Sequence, residues 1–237
     1  MNAVVTFLWE GTRGYAPRHV DLLRAQVARH SDCRFVCVTD YPAEAFSELV
    51  DVVRPPEREW QALRKLRTLE GPAFPSSYPR LLGLSRWATS LSERILVLDV
   101  DCLVVDRLDG FFARDEPFVG WRPRSTWGRS PRFGGGTWFH RTGTQTDVFD
   151  AFLADPVGTM RRAKLAGYRG SDQALLSLWF ADRAPAWTAA DGIYEAQDGV
   201  FSWTELPANA RIVHMNGCRE KPWSSKKQWV RDAICGN

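Results

Sequence analysis

Apolar positions along the chain fall into two rhythms. Short runs rich in β-branched residues read as buried strands: residues 3–9, Phe35-Val36-Cys37-Val38, residues 50–53 and, most strongly, Ile95-Leu96-Val97-Leu98. Between them Val20, Leu23 and Val27 follow Pro17 along one helical face, and Leu81, Leu84, Trp87 and Leu91 keep helical spacing into residue 95. Residues 54–79 carry prolines and charges without a period, which predicts an irregular excursion holding one helical turn. Later strands are expected at Phe118-Val119-Gly120-Trp121, Thr137-Trp138-Phe139 and Arg211-Ile212-Val213-His214, and helices near 146–154 and 172–181. Alternation of strand and helix through the first half is the mark of βαβ units. It predicts the α/β class with a mostly parallel sheet and residues 95–98 at its centre.

Composition narrows this picture little. A chain of 237 residues with 44% hydrophobic content can fill one sizeable core, and one domain is expected. A net charge of +3 identifies no polyanionic partner. Five cysteines without a C-x-x-C pair argue against a disulfide framework and for a reducing, cytoplasmic setting. The opening apolar run lacks a basic flank and is too short for a signal or a span, and no other stretch approaches the roughly 20 apolar residues a transmembrane segment needs. Trp223, Lys226, Lys227 and Trp229 read as part of a solvated C-terminal helix.

The chemistry begins where the strongest strand runs into Asp99-Val100-Asp101. Hydrophobic burial does not explain two acids there. In α/β sheets ligands bind beyond the carboxyl ends of strands, and two oxygen donors suit a hard divalent cation whose shell a diphosphate would complete. Taken alone, the pair serves equally well to end a strand in a turn. Cys102-Leu103-Val104-Val105 resumes strand-like character at once, so the acids occupy a break between two apolar stretches.

Residues 94–112, running from Arg94 through Asp99 and Asp101 to Phe112, resemble the metal-binding segment of GT-A fold glycosyltransferases of the glycogenin and bacterial lipooligosaccharide galactosyltransferase type, family 8 of the retaining enzymes. Three further segments match in order. Tyr78-Pro79-Arg80 is similar to the segment whose arginine contacts the nucleotide sugar, and Gly170-Ser171-Asp172-Gln173 to the Asp-Gln segment that opens a helix on the acceptor side, where Ser171 can also cap the helix. His214 to Trp223 is similar to H-x-x-G-x-x-K-P-W with one extra residue before Lys221, so Lys221 or Arg219 makes the diphosphate contact. The chain departs from the family at Gly134, which stands where the family carries a sugar-binding asparagine. The run Gly134-Gly135-Gly136 admits close backbone approach and loop motion.

The resemblance implies a GT-A-like fold: a Rossmann-like nucleotide-binding half (residues 1–112) fused without a linker to an acceptor side with a C-terminal closure (113–237). It implies Mn²⁺ or Mg²⁺ on Asp99, Asp101 and His214, and a nucleotide-sugar donor, most simply a UDP-sugar, contacted by Arg80, Val100, Gly217 and Lys221. Asp172 and Gln173 are the expected catalytic pair, and a hexose would pass to an acceptor hydroxyl with retention. Base and ribose are expected near Phe7, Leu8 and Trp9, with Tyr15 stacking and Asp40 as a further contact. A glycan or lipid-linked saccharide is the implied acceptor. The four arginines and two tryptophans of residues 121–132 also admit a solvated lid over the donor, or a hydroxyl-bearing base of a nucleic acid as acceptor. A nucleotide-sugar phosphohydrolase using the same metal site is the alternative activity.

Overall fold

The structure, a computed structural model, describes residues 1–12, 14–71, 76–123, 133–195, 205–215 and 221–236. The chain opens with β1 (Asn2–Leu8), α1 (Pro17–His30), β2 (Arg34–Thr39), β3 (Asp51–Val53) and α2 (Glu57–Lys65). Two 3₁₀ segments, Tyr78–Leu84 and Arg86–Ser90, lead to β4 (Arg94–Leu98) and β5 (Cys102–Val104). Then come α3 (Asp109–Phe112), β6 (Phe118–Trp121), β7 (Gly134–Arg141), α4 (Thr146–Ala154), α5 (Pro156–Leu165) and α6 (Asp172–Phe180). The short strands β8 (Ala186–Trp187), β9 (Ile193–Glu195) and β10 (Ile212–His214) precede α7 (Gln228–Cys235).

Seven strands form one sheet in the order β3-β2-β1-β4-β7-β6-β8, with β4 in the middle. The pairs β2–β3, β1–β2, β1–β4 and β6–β8 are parallel, whereas β7 runs antiparallel to both β4 and β6. The sheet is thus mostly parallel, and its central strand is the one whose apolar run is strongest. Side chains alternate across it as the pleat requires. Val5, Phe7, Ile95 and Val97 face a core that also takes Trp60 of α2, Phe149 and Phe152 of α4, and Leu175 and Phe180 of α6. Val4, Leu8, Leu96 and Leu98 face the other core with Val20, Leu23 and Val27 of α1.

Several elements differ from the sequence reading. The excursion after residue 54 holds a full helix, α2, rather than a single turn. Only Trp60 and Leu63 of it are buried, a narrow apolar stripe on an otherwise polar helix. The helical spacing at 81–91 is realised as 3₁₀ turns. A second, three-stranded sheet in the order β5-β10-β9 packs beside the first. The C-terminal helix is not wholly solvated: Trp229 and Val230 of α7 are buried against Leu103, Val213 and Met215. Gly134-Gly135-Gly136 is not a loop but the buried start of β7. Residues 124–132 lie outside the described residues. Among those described, Cys33, Cys37, Cys102 and Cys235 are free, and no helix is long and apolar enough to cross a membrane.

His140 on β7 carries a stability prediction. Its Nδ1 faces the Gly83 carbonyl at 3.1 Å, and burial pushes the imidazole down to about 4. The folded value lies below the ordinary 6.5, so the neutral ring stabilises the fold fully above pH 6.5, and that contribution is lost as the pH falls from 6.5 to 4. His140→Gln is expected to flatten the pH dependence of unfolding free energy in that window by about 1.4 kcal/mol per pH unit, read from denaturant melts. Equal slopes in the two proteins would show that His140 titrates normally.

Candidate active site at the end of the central strand

The two acids sit in a tight turn that joins the two sheets. After Leu98 the ladder continues for one residue, with Asp99 N donating to Gly136 O at 2.9 Å, and Cys102 N then donates back to Asp99 O at 3.1 Å. Asp99 therefore belongs to the end of β4 and Asp101 to the start of β5. Asp101 O accepts from Met215 N at 3.2 Å, which ties the end of β10 to the same turn, and His214 lies directly opposite Cys102 in the β5–β10 ladder.

Arg80 organises the inner side. Its guanidinium forms an ion pair with Asp99 and a second with Asp172, with Nε 2.9 Å from Asp172 Oδ2. Asp172 is 1% exposed. A carboxylate buried to that degree is tolerable only with such a partner. Ser171 occupies the N-cap position of α6, but its hydroxyl makes no cap bond: it donates to Asp172 Oδ1 at 3.1 Å and accepts from Ser77 N. Gln173 follows, half-buried, its amide turned back toward the Arg169 carbonyl.

Asp101 anchors the outer side. Its Oδ2 accepts from the Tyr15 hydroxyl at 2.7 Å and from Lys221 Nζ at 2.5 Å. Burial, and secondarily the Asp101 charge, holds the Tyr15 phenol far above its ordinary range, so it stays protonated and can donate to Asp101. Its ring meets Trp223 edge-on. His214 is wholly buried. Trp121 stacks on it at 3.9 Å, Thr137 Oγ1 lies 2.8 Å from Nε2 and Cys102 Sγ 3.2 Å from Nδ1. Burial pushes this imidazole down to about 3 against the opposing pull of Asp101, so the ring is neutral at physiological pH, as a metal ligand must be. Cys102, whose thiol burial pushes up, remains protonated. Thr137, Cys102 and Trp121 hold His214 in place. Sequence reading missed these roles because each depends on pairing between distant strands, although Cys102 does stand directly after the second acid.

Each glycine of the triple run makes room for a different group. A Cβ on Gly134 would lie 2.5 Å from the Trp121 ring and one on Gly135 2.5 Å from Asp172 Oδ2. A Cβ on Gly136 would stand 2.9 Å from both Asp99 Oδ2 and His214 Nδ1, so these two candidate ligands border one small space. Gly135→Ala should push Asp172 off Arg80. The expected cost is about 1–3 kcal/mol of stability, measured by denaturation. A wild-type value would show that the position of Asp172 is not critical.

The remaining expected contacts are placed as follows. Phe7 and Leu8 bury their side chains in the two cores, and Trp9 is half-buried edge-to-face with Trp60. The Val100 side chain also packs in a core. Asp40 is paired to Arg64 and accepts from Glu10 N at 2.9 Å. Gly217 and Arg219 lie outside the described residues.

The cluster holds three carboxylates, Asp99, Asp101 and Asp172, against two cations, Arg80 and Lys221. Residual negative charge, hard oxygen donors and a neutral imidazole fit a divalent cation. Among the described residues, no three His, Cys, Asp or Glu side chains already converge closely enough to hold one. Both acids are engaged by cations and both ring nitrogens of His214 by neighbours.

Solved structures share this fold. The galactosyltransferase LgtC, in complex with donor and acceptor sugar analogues, superposes over 99% of this chain and 95% of its own, with a TM-score of 0.67 and 12% identity. This chain has the GT-A fold. That fold extends to the glycosyltransferase GlyE of Streptococcus pneumoniae TIGR4 (TM-score 0.64, 16% identity), of which the chain covers 61%. Mouse xyloside xylosyltransferase 1 in its apo form also matches, with a TM-score of 0.58 and 11% identity over 92% of this chain and 98% of that one. No family model and no curated protein matches the sequence. In the GT-A frame the Asp99–Asp101 turn lies at the carboxyl end of the central strand, where α/β sheets bind ligands.

Proposed function

We propose that the chain is a metal-dependent glycosyltransferase that moves a hexose from a nucleotide diphosphate sugar, most simply a UDP-sugar, to an acceptor hydroxyl with retention of anomeric configuration. The observation that carries this reading is the linked set of acids at the end of β4. Asp99 and Asp172 share Arg80, and Asp99 and His214 border one space across Gly136. The likeness to LgtC, crystallised with donor and acceptor sugar analogues, supports it.

In this reading Asp99, Asp101 and His214 hold Mn²⁺ or Mg²⁺. When bound, the cation supplies charge neutralisation for the departing diphosphate. Lys221 lies close enough to Asp101 to reach a phosphate bound there, and its ammonium adds a second positive charge. Arg80 is already committed to two carboxylates. Its main role is to fix Asp99 and Asp172, which makes it a positioning residue first and a phosphate contact second. Asp172, oriented by Arg80 and Ser171, and Gln173 beside it position the sugar and the acceptor hydroxyl. The acceptor class is a glycan or lipid-linked saccharide.

A panel of nucleotide sugars, each incubated with saccharide acceptors and Mn²⁺, tests this reading. Release of nucleoside diphosphate with matching sugar in the acceptor supports it. Free sugar as the sole product would point to hydrolysis, and no turnover of any donor would oppose the reading.

A further inference from the structure

Lys221 holds one of the two acids at which a metal would bind. Its ammonium stands 2.5 Å from Asp101 Oδ2 and donates to the Met215 carbonyl at 3.1 Å, and it lies over the Tyr15 ring, 5.6 Å from the centre. Asp101 is 2% exposed, so bulk solvent screens this pair only weakly. The main chain beyond Lys221 is clamped. Trp223 stacks on His19 at 3.8 Å with the rings 7° from parallel, and it meets Tyr15 edge-on at 5.7 Å. Farther on, α7 is anchored by buried Trp229 and Val230. The head group is therefore delivered to Asp101 on a flexible four-carbon stem from a backbone anchored on its C-terminal side. Arg80 has less such freedom, because its guanidinium is shared between two carboxylates.

We propose that Lys221 is an exchangeable counter-cation that couples metal binding to diphosphate binding, a proposal that rests on the metal and nucleotide reading of the site given above. Asp101 can neutralise the ammonium or a divalent cation, and the two compete for its single negative charge. A cation arriving alone draws the Asp101 charge away from Lys221 and leaves an ammonium without a full counter-charge beside a second positive charge. A cation arriving with a diphosphate gives that ammonium a phosphate to pair with. Lys221 thus weakens the binding of metal alone and strengthens the binding of metal together with nucleotide. By linkage, the nucleotide owes part of its affinity to the metal for the same reason.

The test is Mn²⁺ binding, followed by the electron paramagnetic resonance signal of free Mn²⁺, with and without UDP, in the whole chain and in Lys221→Met. Without UDP, Lys221→Met should bind Mn²⁺ roughly tenfold more tightly than the wild type, and the factor by which UDP raises Mn²⁺ affinity should shrink by about tenfold or more. If Lys221→Met binds Mn²⁺ alone no more tightly than the wild type while UDP still raises the affinity of both, the counter-cation role is overturned and the metal and nucleotide reading stands. If neither protein binds Mn²⁺ with or without UDP, the underlying reading fails and the proposal with it. Lys221→Gln, which keeps a hydrogen-bond donor for the Met215 carbonyl, gives the same comparison should the methionine variant melt early.

Discussion

Asp101→Asn is expected to lower turnover by on the order of a hundred- to a thousandfold while leaving the chain folded. The turn around Asp101 is closed by main-chain bonds, Cys102 N to Asp99 O and Met215 N to Asp101 O, and neither involves the carboxylate. An amide at the same position can still accept from Tyr15, and the packing of β4 is untouched. What disappears is one negative charge from a cluster whose excess of acids over bases is a single charge. Thermal melting and donor turnover measured on one preparation separate the two effects. A stable variant with full activity would remove Asp101 from the site. A variant that fails to fold would show that the Lys221 pair is structural first.

Arg80→Met is expected to destabilise the fold strongly and to abolish turnover as well. Asp172 is 1% exposed and depends on Arg80 for its counter-charge, and Asp99 shares the same guanidinium. Breaking a buried pair by removing one partner costs about 3–5 kcal/mol, because the other charge is left uncompensated. In a chain of this size that corresponds to a fall in melting temperature of about 10 °C. Adding Asp172→Asn to Arg80→Met should restore part of the stability without restoring activity. If Arg80→Met melts like the wild type, the buried ion pairs contribute little and Arg80 serves the ligand alone.

The parts of the fold legible in the sequence are those where a single local signal dominates. Ile95-Leu96-Val97-Leu98 is apolar on both sides of the pleat because both faces of the central strand are covered, and such a run reads as a buried parallel strand. Leu81, Leu84 and Trp87 stand three residues apart. That spacing fits a 3₁₀ turn better than an α-helix, yet over so short a stretch it reads as either. The α2 helix follows two prolines and is strongly polar apart from the narrow stripe of Trp60 and Leu63, so a search for apolar runs passes over it.

The candidate site was legible in its types of residue and not in its wiring. Two acids after a buried strand mark a candidate site. Nothing local says that Arg80 is shared between Asp99 and Asp172, or that Lys221 returns to Asp101 across 120 residues. The glycines of β7 mislead for a physical reason. Glycine is a poor strand former, so three in a row suggest a loop, whereas here each gives up its Cβ to let Trp121, Asp172 or the Asp99–His214 pair come close. The signal in such a run is steric and lies in the neighbours.

The proposed function requires that this end of the sheet bind a nucleoside diphosphate through a divalent cation. Calorimetric titration of UDP into the chain, with Mn²⁺ present and then with Mn²⁺ removed by chelation, tests it most directly. UDP should bind at least about tenfold more tightly with Mn²⁺, and Asp101→Asn should lose this enhancement. UDP affinity that is the same with and without Mn²⁺, or that is fully retained in Asp101→Asn, would contradict it.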